Sequence, residues 1–194
     1  MAKKKTITRS DLISMYMESL LEHNAPPKSI YSFAKSNNFD EALFYEHFGN
    51  FEALEQAIFI AFFDNTLIVL SKSADYESFD SRNKLISFYY TFFEILTANR
   101  SYVVYALQNE KNHLKKLRAL FKLKQSFTQY IESLNIPLLD IKQEAIEKVQ
   151  NKTLQESAWM QLLVTIKFWL EDTSSSFEKT DIFIEKSVNT SFEQ

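Results

Sequence analysis

A chain of 194 residues with one glycine, Gly49, and three prolines has few means of making tight turns. Hairpin turns rely on backbone conformations that glycine adopts without steric cost, so a sandwich or barrel of many short strands is disfavoured. Long helices with few connections suit such a chain, and the expected class is all-α. Eighteen phenylalanines must then find a core, an interface or a pocket. With 45% hydrophobic and 24% charged residues the chain reads as globular rather than disordered. Cysteine is absent, which excludes disulfides, thiolate metal sites and cysteine nucleophiles, and a cytoplasmic home is expected. The basic start, with Lys3, Lys4 and Lys5, is followed by no apolar segment of the signal-peptide kind. The longest apolar stretches are interrupted by Asp64, Glu94 or Lys167, short of the roughly 18 residues of a membrane span, so no membrane partner is expected. A net charge of -3 leaves nucleic-acid binding to the local field.

Local signals divide the first fifty residues into three helices. Thr8 and Asp11 form a capping-box pattern, and Ile7 and Leu12 are spaced as a hydrophobic staple. Ile13, Tyr16, Met17, Leu20 and Leu21 continue as an apolar stripe, and Pro26-Pro27 closes the element. A short second helix is expected over 29–36, with Ile30, Phe33 and Ala34 apolar. Asn37-Asn38 signals a turn, since asparagine tolerates the left-handed conformation. Asp40 can cap a third helix to about Phe48, and Asn50 a long fourth one. Helices beyond it are expected at roughly 51–72, 81–98, 101–112, 114–134, 139–151, 154–174 and 177–191. Two further capping boxes, Thr153 to Glu156 and Ser175 to Glu178, mark late starts. The layout predicts a helix-turn-helix domain at 1–50 and a larger helical domain at 51–194.

Several constellations bear on function. The helix carrying Trp159, Leu163 and Trp169 is apolar on more than one face, and Ile184 and Val188 form a stripe on the last helix. These five residues are candidates for a homodimer interface, the alternative being a monomer core. Among the middle aromatics, Tyr89, Phe92, Phe93, Tyr105, Phe121 and Phe127 are either an aromatic core or the lining of a pocket for a small apolar or aromatic effector. No phosphate-cradling glycine loop, nucleophile elbow or zinc motif is present, so neither a catalytic site nor a cofactor is expected. Glu110 and His113 are three residues apart, a pairing common on helix surfaces, and metal binding is not expected.

Residues Ser29 to Phe39 resemble the second helix and turn of TetR-type transcriptional regulators. Phe44-Tyr45-Glu46-His47-Phe48 matches the end of their recognition helix, and Glu52-Ala53-Leu54 the start of their fourth helix. The segment Phe168 to Ser174, with Phe177 to Asp181, is similar to a C-terminal domain found on some TetR-like proteins. The resemblance implies a dimeric repressor that inserts its N-terminal helices into two major grooves of operator DNA. Its C-terminal domain would bind an effector and dimerise through the last two helices. Ser29, Tyr45 and His47 occupy positions that contact phosphates in the family. Lys28 and Lys35, flanking the second helix, supply cations that a phosphate backbone attracts.

The sequence departs from the family at chosen points. Asn38 stands for the usual turn glycine and Leu43 for a threonine that faces DNA. Phe51 replaces a lysine that grips phosphate, and the recognition helix opens with Asp40-Glu41 and carries Glu46. Residues 1–50 hold six Lys/Arg (3, 4, 5, 9, 28, 35) and six Asp/Glu (11, 18, 22, 40, 41, 46), so the segment has no basic excess. Two readings follow: a TetR-like regulator that binds DNA as a dimer, or a helical dimer of that architecture that has lost DNA binding and works through a small molecule or a protein.

Overall fold

A computed structural model of the chain describes residues 7–109, 113–137 and 144–192. Every regular element among them is helical. In chain order they are α1 (Arg9–His23), α2 (Ile30–Ser36), α3 (Glu41–His47), α4 (Phe51–Ser71), α5 (Ser81–Ala98) and α6 (Arg100–Val104). A π-helical turn follows at Tyr105–Asn109, then α7 (His113–Ala119), α8 (Phe121–Ser133), α9 (Glu144–Glu171) and α10 (Glu178–Phe192). Short 3-10 turns lie at Tyr76–Ser78 and Ser175–Phe177.

The early starts are made by the expected caps. The Thr8 hydroxyl accepts from the Asp11 N–H at 3.2 Å while the Thr8 N–H donates to the Asp11 carboxylate at 2.8 Å. Asp40 accepts from the Ala42 N–H, and Asn50 from the Ala53 N–H at 2.8 Å. Left-handed residues end helices without glycine: Asn24, Asn38 and Asn135 have φ of 49°, 56° and 48°. Asparagine visits this region at the lowest cost after glycine. Gly49 itself has no positive φ, so its backbone freedom is not what this fold uses.

The later boundaries depart from the local signals. α9 is one helix of 28 residues, with no break at Asn151-Lys152. Thr153, expected to cap a new start, donates its hydroxyl to the Val149 carbonyl at 2.9 Å instead, a bond that a threonine makes inside a helix. The expected helix 101–112 is a short α6 running into the π-helical turn, and 114–134 divides at Leu120. At the start of α10 the cap is Asp172 rather than Ser175. One carboxylate oxygen accepts from the Ser174 N–H at 2.8 Å and the Ser174 hydroxyl at 2.6 Å. The other accepts from the Thr180 N–H at 2.9 Å and the Thr180 hydroxyl at 2.7 Å.

Packing divides the chain into two compact units that do not follow a linear boundary at residue 50. One takes the chain up to Phe59 together with Arg100–Leu120; the other takes Ile60–Asn99 together with the chain from Phe121 onward. The physical reason is that α6 packs on α1, and that α4 is continuous across residue 59. The first unit closes on a ring cluster. Phe33 meets Tyr16, Phe39, Phe44 and Phe51 edge-on at 5.5–6.3 Å. Beneath it Leu12, Leu54 and Ile58 are fully buried. The second unit is built around Phe88, whose ring lies 4.8 Å from Tyr130, 5.4 Å from Phe127, 5.5 Å from Phe92 and 5.6 Å from Phe63. The Tyr76 and Tyr130 hydroxyls meet at 2.8 Å, and Tyr130 donates to the Lys84 carbonyl. Burial, reinforced by that contact, pushes the Tyr130 phenol well above its ordinary value.

α4 is long and apolar enough in composition to cross a bilayer, with a mean hydropathy of 1.6. Asp64 interrupts the apolar run as expected, but the most apolar 18 residues carry only the charges of Glu55 and Asp64, so the average stays high. Here Leu54, Ala57, Ile58 and Phe59 are buried in the first unit, and Phe62, Phe63, Thr66 and Leu70 in the second.

The Asp172 clamp makes the stability of the second unit acid-sensitive. Burial alone would raise this carboxyl, but the hydrogen bonds from Ser174 and Thr180 outweigh it and carry the pKa from 3.8 down to about 2. The contribution is therefore complete above the unfolded value of 3.8 and is lost as pH falls through about 2. Asp172→Ala, which leaves the Thr180 donors unpaired, is expected to cost roughly 2 kcal/mol at pH 7 in denaturant unfolding. The difference from the parent protein should shrink between about pH 4 and pH 2.

Candidate nucleic-acid interface and ligand cleft

α2 and α3 pack against each other across the turn Asn37-Asn38-Phe39, the arrangement of a helix-turn-helix. Their inner side is Phe33, Ala34 and Phe44, all buried. The outer side of α2 carries Tyr31 and Lys35, four residues apart, and that of α3 carries Ala42, Tyr45 and Glu46 at helical spacing. Lys28 and Ser29 precede α2 and are exposed, as is Tyr45; His47 is half-buried at the end of α3. The Ser29 oxygen accepts from the Ser32 N–H at 3.1 Å as the helix cap. The Ser29 side chain remains exposed to solvent. Four of the five expected DNA-contacting residues are thus accessible, and His47 is partly so.

The acidic residues share this region. Asp40 is committed to capping α3, Glu41 is half-buried and Glu46 is exposed. Of the cations, Lys3, Lys4 and Lys5 lie outside the described residues. Arg9 places its guanidinium 4.7 Å from the centre of the Phe48 ring, a cation–π contact. Phe51, where the family's phosphate-gripping lysine would stand, packs 5.3 Å from Tyr16 and 5.5 Å from Phe44. Its half-buried ring packs on the core rings, which accounts for the departure. The same unit buries a Tyr16–Glu55 hydrogen bond of 2.6 Å. Burial and then the Glu55 charge drive the Tyr16 phenol far above its ordinary range.

Of the six expected pocket residues, Tyr89, Phe92, Phe93 and Phe127 are buried in the ring cluster of the second unit, in face and edge contact with one another. Phe121 is 56% exposed at the start of α8. Tyr105, in the π-helical turn, borders a void of about 20 Å³ in the first unit beside Leu20, Glu55 and Tyr102, room for a single water. A larger opening is a cleft of about 510 Å³ in the second unit, between α5, the end of α9 and the start of α10. Of the expected set it includes Phe93 alone. Phe93 and Trp169 lie 6.1 Å apart, and the Trp169 indole donates to the Thr97 hydroxyl at 3.1 Å. Tyr90 and Phe177 are half-buried beside them, and Glu94 and Asp181 are exposed. Ser176 and Phe177, at φ of 53° and 59°, form one wall. The sequence held a signal for this cleft: the aromatics and carboxylates surrounding the serine-rich connection 174–176.

The interface candidates are also redistributed. Trp169, Ile184 and Val188 are fully buried and Trp159 nearly so, within the chain's own core, while Leu163 is half-buried. What α9 and α10 turn outward is a different apolar set. Met160 is 59% exposed, Val164 47% and Ile182 45%, and the rings of Phe168 and Phe183 stack at 4.7 Å. Among the described residues no group of three His, Asp or Glu side chains is placed to hold a metal ion; Glu110 and the side chain of His113 lie outside them.

Residues 84–194 match the family described as tetracyclin repressor-like, C-terminal domain, more than half of the chain. The fold is thus that of an all-helical protein with an N-terminal helix-turn-helix arrangement. The chain belongs to the tetracycline-repressor-like family. No curated protein matches it.

The packing role of Phe51 can be tested directly. Restoring the family's lysine, as Phe51→Lys, is expected to lose roughly 2–3 kcal/mol of stability through the lost ring contacts. Urea unfolding followed by near-ultraviolet circular dichroism measures this, and an unchanged midpoint would show that the ring contacts of Phe51 contribute nothing to stability.

Proposed function

We propose that this chain is a dimeric transcriptional regulator that contacts duplex DNA through α2 and α3 and receives a small-molecule effector in its second unit. The observation that carries the reading is the outward row of Lys28, Ser29, Lys35 and Tyr45 on a helix-turn-helix joined to a tetracycline-repressor-like domain. Hydroxyls and cations on the outer side of such helices are the groups that position a protein on phosphates. Dimerisation is assigned to the outward face of α9 and α10, centred on Met160, Val164 and Ile182. An exposed apolar stripe along two adjacent helices suits a two-fold contact in which each residue meets its symmetry mate's neighbourhood. On this reading the protein has no catalytic role. The competing reading, a helical dimer that no longer binds DNA, is favoured by one observation, the exposed Glu46 beside Tyr45.

A titration against mixed genomic DNA at about 50 mM salt separates the two, since non-specific contacts are strongest there. Saturable binding is expected, and Lys28→Ala should weaken it on all sequences alike and reduce the salt slope by about one. Glu41→Gln with Glu46→Gln should tighten it by removing like charge. No detectable duplex binding by the native protein would overturn the regulator and leave the competing reading.

Assembly is tested independently. Sedimentation at micromolar concentration should give about twice 22.8 kDa. Met160→Asp with Val164→Asp should give the monomer with helical content unchanged, because neither side chain is buried within the chain. A monomeric parent protein would remove the two-half-site geometry.

A further inference from the structure

The cleft of the second unit carries chemistry that neither its fold nor its family assigns. Its volume of about 510 Å³ lies in the range of small-molecule sites. Four aromatic side chains border it: Tyr90, Phe93, Trp169 and Phe177. Two carboxylates, Glu94 and Asp181, stand among them, and none of the bordering residues is a lysine, arginine or histidine. Among the described residues neither carboxylate has an ion-pair partner.

The charges that act on Asp181 and Tyr90 are those of carboxylates. Partial burial, followed by the charges of Glu94, Asp172 and Glu178, raises the Asp181 carboxyl above its ordinary value. Burial, with Glu185 and Asp181, likewise raises Tyr90. The positive end of α10 does not offset this field, because the Asp172 carboxylate already accepts from the Thr180 N–H and caps it. A site that holds uncompensated negative charge beside the half-buried rings of Tyr90 and Phe177 is matched by a ligand that supplies a positive charge on an apolar body.

We propose that the cleft between α5, the end of α9 and the start of α10 binds an organic cation, an amine or quaternary ammonium carrying an aromatic or aliphatic body. The charge sits between Glu94 and Asp181, and the apolar body lies against the half-buried rings of Tyr90 and Phe177. The assignment rests on the reading of this unit as the effector-receiving part and gives that effector a chemical class.

Three probes of similar size test it on the full chain without DNA: benzyltriethylammonium, benzyl alcohol and phenylacetate. Binding is followed by calorimetry and by tryptophan fluorescence, with Trp159→Phe isolating the signal of Trp169. Saturable binding of the cation, at least about tenfold tighter than either other probe, is expected. Glu94→Gln with Asp181→Asn should abolish that preference while leaving the weak binding of benzyl alcohol unchanged. Asp181 lies in the first turn of α10, so Glu94→Gln alone, on the exposed side of α5, should still weaken the cation severalfold if the double variant unfolds. Tyr90→Leu, which keeps an apolar wall and removes a π face, should do the same. Equal affinity for the three probes, full retention by the carboxylate variants, or no saturable binding of any probe would overturn the assignment. DNA binding is titrated separately. Cation binding without DNA binding refutes the regulator and leaves the cleft, and DNA binding without cation binding does the reverse.

Discussion

Contact between aromatic rings is what the rest of this structure depends on. Phe33 in the first unit and Phe88 in the second each meet several rings within about 6 Å, and the helices bearing those rings are thereby fixed in angle as well as in distance. Edge-to-face and offset arrangements are preferred over a perfect sandwich, so such a core has direction where an aliphatic one has mainly volume. A chain nearly without glycine lacks the smallest residue that lets helix backbones approach closely. It spaces them with large side chains, and the phenylalanines that dominate its composition become its principal packing elements. The ring of Phe51 illustrates the cost to function: a position that could hold a phosphate-gripping cation is spent on the core.

Much of the N-terminal half was legible in the sequence because its signals are local. Thr8, Asp40 and Asn50 cap helices through atoms two or three residues away, and Asn38 takes the left-handed turn its side chain tolerates. The same kind of signal misled at Thr153 and Ser175. A capping-box pattern inside a helix that is packed on both neighbours has no free end to cap, so Thr153 bonds backward within the helix. At Ser175 a stronger acceptor three residues earlier, Asp172, takes the donors first.

The candidate site was less legible because burial is not local. Trp159, Trp169, Ile184 and Val188 are apolar residues on helices with apolar residues on several sides, and periodicity alone does not say which side meets the chain's own core. The structure turns the tryptophans inward and leaves Met160 and Val164 outside. For the pocket, the residues were sought among consecutive aromatics, whereas a cleft needs a gap between elements distant in the chain. The gap falls where α10 begins, and its walls come from α5 and from the connection after α9.

That connection has a further consequence. Ser176 and Phe177 are consecutive non-glycine residues in left-handed backbone, a conformation of order 1–2 kcal/mol per residue above the ordinary basins. The hydrogen bonds of Asp172 to Ser174 and Thr180 bracket them on both sides. The wall of the cleft is therefore paid for during folding, and little conformational entropy is left for a ligand to remove on arrival. A Ser176→Gly change would relieve the strain and stabilise the fold, yet loosen the wall, so stability and affinity pull this short segment in opposite directions.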